Sequence, residues 1–233
     1  MVNILISGYY GFDNIGDESI LRTLVSSLRE HIPDCSLTVL SHNPASTREK
    51  YGVEAVDRMS PMAILRAVKK CDMLISGGGS LLQDVTSSKS LHYYLSIIRC
   101  AEFFHKKVFI YSQGIGPIDR PGNRRAAAAA LKRADGIVVR DERSASLLEE
   151  IGIARDKVVI TADPVIRMKK PDGDVGAEIL RKAGVSLDGR LTVGWAIRER
   201  DTDSRFVKEL LRSIQMMKDK YNAQSVLIPF HYE

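Results

Sequence analysis

The chain has 233 residues, of which 44% are hydrophobic and 27% charged. Those are ordinary proportions for a globular protein with a sizeable core, and they exclude a disordered or collagen-like chain. Thirty-four Lys and Arg against 29 Asp and Glu leave a net charge of +5, which suits phosphates or anionic surfaces. That charge is too weak and too dispersed for nucleic acid, because only 6% of residues are aromatic and none alternates with a basic run. No run approaches the ~18 apolar residues of a membrane span. The start, Met1-Val2-Asn3-Ile4-Leu5-Ile6, reads as a strand without a leader. Cys35, Cys71 and Cys100 are odd in number and far apart, which argues against a disulfide framework or a zinc knuckle and for thiols in a cytoplasmic protein.

Taken in order, the chain alternates β-rich and helical patterns. Strands are predicted at Val2–Ser7, Ser36–Leu40, Met73–Ser76, Val108–Ser112, Gly136–Val139 and Val158–Thr161. Helices are predicted at Glu18–His31, Pro61–Lys70, Ser88–His105, Pro121–Arg133 and Glu142–Ile151. The strands are mostly continuous apolar runs, the mark of a parallel sheet covered on both faces. The fold class is therefore α/β, a doubly wound Rossmann-like sheet. Asp17 reads as the first helix's N-cap, and Gly152 as the residue that ends the helix begun at Glu142.

The pattern breaks at the polar, Pro- and Gly-containing stretch 167–175, a hinge between residues 1–166 and 176–233. Beyond it come a helix over Ala177–Ala183, a strand over Leu191–Ala196, a helix over Phe206–Tyr221 and a strand over Ser225–Phe230. Two strands are few for a sheet. The second part thus reads as the start of a second Rossmann-like domain, in a chain that is truncated or relies on a partner.

In a parallel sheet, ligands bind beyond the carboxyl ends of the strands. Five such junctions are glycine-rich or polar: Gly8–Glu18, Ser76–Asp84, Gln113–Ile118, Arg140-Asp141 and Ala162–Pro164. In the first, Gly11, Asp13 and Asn14 are site candidates, the latter two because nothing structural demands them. In the second, Gly78 and Gly79 give a backbone that a ligand can approach closely, and Asp84 is either a cap or a ligand-binding carboxylate. Gln113 stands at the third junction. Arg140, whose planar fork suits a carboxylate or phosphate, stands at the fourth. After the last two strands, Arg198 is a candidate anion binder and His231 a candidate acid or base. No metal-ligand spacing is found.

Together these junctions resemble the polysaccharide pyruvyl transferase family. The resemblance rests on Gly8, Gly11, Asn14, Gly16, Asp17 and Glu18; on Gly77, Gly78, Gly79 and Asp84; on Gly114, Gly116 and Pro117; and on Arg140, Asp141, Ser144, Asp163 and Pro164. It is closest to the bacterial ketal-pyruvyl transferases of secondary cell-wall polymers, whose pyruvate anchors S-layer proteins. It implies a GT-B-like architecture with an acceptor-side N-terminal domain and a donor-side C-terminal one. The family's Arg-Leu-His-like donor motif is absent from these residues.

The resemblance further implies transfer from phosphoenolpyruvate to two hydroxyls of one sugar in a lipid-linked oligosaccharide. Arg198 and, more weakly, Arg140 would bind the donor; Asp13 or Asp84 would orient or deprotonate the acceptor. No cofactor or metal is called for. Peripheral contact with the inner membrane face, through Arg120, Arg124, Arg125, Lys132 and Arg133, and homo-oligomerisation stay open. A nucleotide-sugar glycosyltransferase of GT-B type and a non-catalytic Rossmann-like binding module are the alternatives.

Overall fold

A computed structural model describes residues 1–85, 87–170, 173–197 and 204–229. The chain divides into two compact units, Met1–Met168 and Lys169–Glu233. In the first, seven strands alternate with six helices. These are β1 (Val2–Tyr10), α1 (Ile15–His31), β2 (Cys35–Ser41), α2 (Pro44–Tyr51), β3 (Glu54–Asp57), α3 (Pro61–Lys70), β4 (Met73–Gly77), α4 (Ser88–Phe103), β5 (Lys107–Gln113), α5 (Pro121–Leu131), β6 (Gly136–Val139), α6 (Glu142–Glu150) and β7 (Val158–Ile160). The strands form one parallel sheet in the order β3-β2-β1-β4-β5-β6-β7. The chain's direction of growth reverses between β1 and β4, so the crevice of a doubly wound sheet opens at their carboxyl ends.

Both faces of this sheet are dry. Ile4 and Ile6 pack with Leu21, Leu24 and Val25 of α1, whereas Leu5 joins the opposite core with α4 and α5. Successive side chains of a strand point to opposite faces, so a run such as Ile-Leu-Ile needs a hydrophobic layer on each side. Cys35, Cys71 and Cys100 are free thiols, and burial pushes Cys71 up to about 11.

The sequence reading misses two elements, α2 and β3. They lie at the sheet's edge, where little apolar surface is needed: in α2 only Thr47 and Tyr51 are buried. Their signals are caps. Asn43 accepts from the Ser46 N–H, Pro44 follows it, and Gly52 ends the helix at φ 62°. A further correction concerns α1. It begins three residues earlier than predicted, with Asn14 as N-cap accepting from the Asp17 N–H at 3.1 Å. Asn14 therefore has a structural task, and Asp17 and Glu18 complement the dipole in the first turn.

The second unit holds α7 (Gly173–Lys182), β8 (Thr192–Ile197), α8 (Ser204–Tyr221) and β9 (Gln224–Pro229), with β8 and β9 parallel from Thr192 opposite Gln224 to Ile197 opposite Pro229. Gln224 locks that register: its amide donates to the Thr192 hydroxyl at 2.8 Å and its oxygen accepts from the Ser186 N–H at 3.2 Å.

Candidate functional site

The β1 junction is shaped by a bulge. Ser7 pairs with Leu40, but the next pair is Tyr10 with Ser41, so β1 carries two extra residues there. The bulge throws Tyr9 outward, 38% exposed, while Tyr10 turns in and donates to the Gly77 carbonyl at 2.7 Å. Only glycine fits at position 8, because a Cβ would lie 2.2 Å from the Tyr10 ring. Gly11, at φ 80°, lets the loop fold onto Ser41 and Asn43. Beyond it, Asp13 occupies the left-handed region at φ 56°, a conformation uncommon outside glycine. Its side chain is 61% exposed and pairs with Lys50 at 2.7 Å.

Beyond β4, Gly78 and Gly79 have φ near 71° and 66°, and the space a Cβ would take is filled by Ile20 and Asp17 of α1. These glycines serve close packing of the loop on the helix start.

The β4–β7 side centres on Arg140. Its guanidinium donates to Asp163 at 2.8 Å and to the Ser80 hydroxyl at 2.9 Å, and its backbone N–H meets the Gln113 carbonyl. A Cβ at Gly114 would stand 3.0 Å from the Arg140 Nε and Nη2. Glycine at 114 thus opens the space in which the fork lies against the β5 exit, and residues from the exits of β4, β5 and β7 fix it. The guanidinium stays partly open to solvent. Beside it lies a cleft of about 350 Å³ lined by Ser80, Gly114, Asp119, Arg124, Asp141 and Arg143, among others.

Two candidates lie beneath this rim. Gln113 follows a bulge in β5, where Ser112 takes φ 45° and the register slips by one residue. It is fully buried, its amide donates to the Ser76 hydroxyl at 2.8 Å, and its oxygen has no partner among the described residues. Gln113 therefore supports the rim from below. Asp84, 7% exposed, is a clamp and not an open carboxylate. It accepts from the Asp119 and Arg120 N–H groups at 2.9 and 3.1 Å and from the Asn123 amide at 2.8 Å, which pins the start of α5. Burial pushes its pKa up, but these donors outweigh burial and hold it below the usual carboxylate value. Arg198 and His231 lie outside the described residues.

Sequence reasoning misses Arg58. It is 6% exposed, donates to the Gly8 carbonyl at 3.0 Å and to the Tyr94 hydroxyl at 3.2 Å, and lies 4.7 Å from the Tyr93 ring centre. A buried guanidinium needs such partners. The available signal was the Tyr9-Tyr10-x-Phe12 cluster in a chain poor in aromatics. The basic patch on α5 is also not one open face, because Arg124 donates to the Ile118 carbonyl and pairs with Glu150 at 3.2 Å. Among the described residues, no His, Cys, Asp and Glu cluster could hold a metal ion, and no helix is long and apolar enough to cross a membrane.

A seven-stranded parallel sheet with its junction loops gathered at the crevice defines a Rossmann-like α/β protein of the GT-B-like class. Solved structures agree on the fold. The UDP-GlcNAc 2-epimerase of Methanocaldococcus jannaschii matches with a TM-score of 0.63 at 13% identity, over 97% of this chain and 64% of that one. HepE of Anabaena, solved with UDP-glucose, matches with a TM-score of 0.59 at 10% identity, over 98% and 69%. The polysaccharide pyruvyl transferase family model matches residues 14–233, and the chain belongs to that family. The amylovoran biosynthesis protein AmsJ of Erwinia amylovora is 24% identical over 239 residues. That alignment takes in 85% of this chain, which spans 57% of the length of AmsJ.

Proposed function

We propose that the chain carries the acceptor side of a ketal-pyruvyl transferase, which moves pyruvate from phosphoenolpyruvate to a sugar of a lipid-linked cell-wall polysaccharide precursor. The supporting observation is the guanidinium of Arg140, fixed by Asp163 and Ser80 on the rim where the exposed Asp13 also stands. A planar fork held in advance suits the donor's carboxylate or phosphate.

In this reading Arg140 and Arg198 bind the donor and draw negative charge from it as C2 becomes cationic. An acid protonates the vinyl carbon. One sugar hydroxyl attacks C2, the C–O bond to phosphate breaks, and a second hydroxyl closes the ring. One hydroxyl proton balances the proton taken by the new methyl group; the other leaves with phosphate. Asp13 orients the attacking hydroxyl and takes its proton. Asp84, with its carboxylate already committed to three donors, is set aside from this role.

The test is phosphate release from phosphoenolpyruvate in the presence of a lipid-linked disaccharide, using a form that spans the relatives' full length. Release is expected, and Asp13→Asn should lower it by about a hundredfold, the worth of a positioned base. Turnover of a nucleoside diphosphate sugar, with none of phosphoenolpyruvate, overturns the reading.

A further inference from the structure

We infer that His42, backed by Phe12 and Tyr9 in one ring pile, offers its outer face as a stacking platform for one pyranose ring, with Asp13 and Lys50 near the pile reading the hydroxyls. This rests on the acceptor-side reading above and names what that side grips. The Tyr9 and Phe12 rings are parallel within 6° at 4.1 Å, and the Phe12 and His42 rings within 5° at 4.4 Å. Three rings from two different strand exits therefore make one pile. Arg58 anchors it: its guanidinium carbon is 5.1 Å from the Phe12 ring centre and 5.7 Å from that of Tyr9.

A pile built only for packing would be buried. Tyr9 and His42 are instead exposed, and Phe12 is half-buried. Aromatic pairs left to themselves prefer offset or edge-on contacts, as Tyr93 and Tyr94 adopt at 79°. The pile takes the stacked form, with Tyr9 and His42, both exposed, as its outer rings. A ring face is electron-rich, and the axial C–H groups of a pyranose present a weakly positive, apolar face to it.

The edge chemistry selects among flat ligands. Asp13 follows Phe12 directly, and its carboxylate with the Lys50 ammonium at 2.7 Å offers an acceptor and a donor to adjacent hydroxyls. Asp17 and Glu18 follow in the first turn of α1, where Glu18 accepts from the Gly11 N–H at 2.8 Å and from the Tyr51 hydroxyl. A paired carboxylate and ammonium of this kind suits the adjacent hydroxyls of a neutral sugar.

The full 233-residue chain is titrated with the methyl glycosides of glucose, galactose and mannose, with saturation-transfer NMR as readout. Transfer is expected to concentrate on one face of axial C–H protons for at least one glycoside. His42→Ala, at an exposed position, should weaken that glycoside by roughly tenfold, the worth of one stacked ring, with unchanged melting. His42→Phe should restore it. Absence of binding by all three glycosides, wild-type affinity in both His42→Ala and Tyr9→Ala, or stronger binding of uridine monophosphate at the same rings overturns the platform. Phosphoenolpyruvate is titrated separately, into a form that spans the relatives' full length. If it fails to bind while the glycoside binds, the pyruvyl-transfer reading falls and the platform stands; the converse pattern removes the platform alone.

Discussion

The two sides of the crevice are built in opposite ways. On the β4–β7 side, polar groups end on one another: Arg140 on Asp163 and Ser80, Ser144 on Asp141 and the Ile115 N–H, Asp84 on three donors of the α5 start. On the β1–β2 side, the bulge pushes Tyr9 outward, Phe12 and Asp13 follow in the loop beyond it, and the charge pair of Asp13 with Lys50 is half in water. A closed circuit holds one guanidinium still. An open loop leaves an outer ring face and a solvent-exposed charge pair to meet something neutral. Under the function we propose, the fixed side would hold the anionic donor and the open side would admit the hydroxylated acceptor.

Mutations can break this contrast. The largest expected effect is on catalysis. Arg140→Ala should cut pyruvyl transfer by about a thousandfold, some 4 kcal/mol of lost charge stabilisation, while unfolding free energy falls by only about 1 kcal/mol for a partly exposed pair. Transfer rates and urea melts of the same variant separate the two. Equal losses in both would make Arg140 a structural strut.

Asp84→Ala should do the reverse. It strands two backbone N–H groups and a buried amide, so urea melts should show a loss of about 3 kcal/mol. The pH dependence has a definite sign. Because the folded-state pKa of Asp84 lies below the unfolded one, its stabilisation is present above the unfolded carboxylate value and is lost as pH falls through the folded one. Asp84→Asn should therefore flatten the acid limb of a stability–pH curve. Part of that limb should remain, because hydrogen bonds also lower the carboxyls of Asp72, bonded to Asn3, and Asp135, bonded to Lys107 and Val108. A curve unchanged by Asp84→Asn would show that the clamp carries no titrating stability.

Ser144→Ala comes next. Ser144 is 2% exposed, accepts from the Ile115 N–H at 2.8 Å and donates to Asp141. Its loss orphans one buried N–H and should cost about 1.5 kcal/mol by the same melts.

What the sequence made legible follows the same physics. Strands buried on both faces announce themselves by apolar runs, so six of the seven in the first unit were readable, as were helices with an apolar stripe such as Leu21, Leu24 and Leu28. Edge elements bury little, so β3 and α2 left only caps. The five junctions were legible as strand exits, because glycine and polar residues interrupt the apolar runs there. Individual tasks were not. Asp84 and Gln113 look like ligand binders in sequence, since a carboxylate or amide that will be consumed by distant partners is written no differently from one left free. Asp119 and Asn123 lie more than 30 residues from Asp84, and Arg58 lies 50 residues from Gly8. Those pairings exist only after the sheet has formed.

The smallest expected effect tests the open side. Lys50→Met removes the partner of Asp13 without touching the ring pile. Both side chains are about half exposed or more, so water screens the pair and side-chain ordering offsets its attraction. Stability should change by less than about 0.5 kcal/mol, and the wild-type and variant melts should converge further at high salt. The Asp13 hydrogen bond and charge raise the Lys50 pKa, so on the alkaline side the pair persists past neutral pH and is lost as the amine gives up its proton. Glycoside binding should fall severalfold at most, since one edge donor is lost while the rings remain. A large stability loss in Lys50→Met would show instead that the β1–β2 side is held as tightly as its counterpart, and the contrast between a fixed donor side and an open acceptor side would disappear.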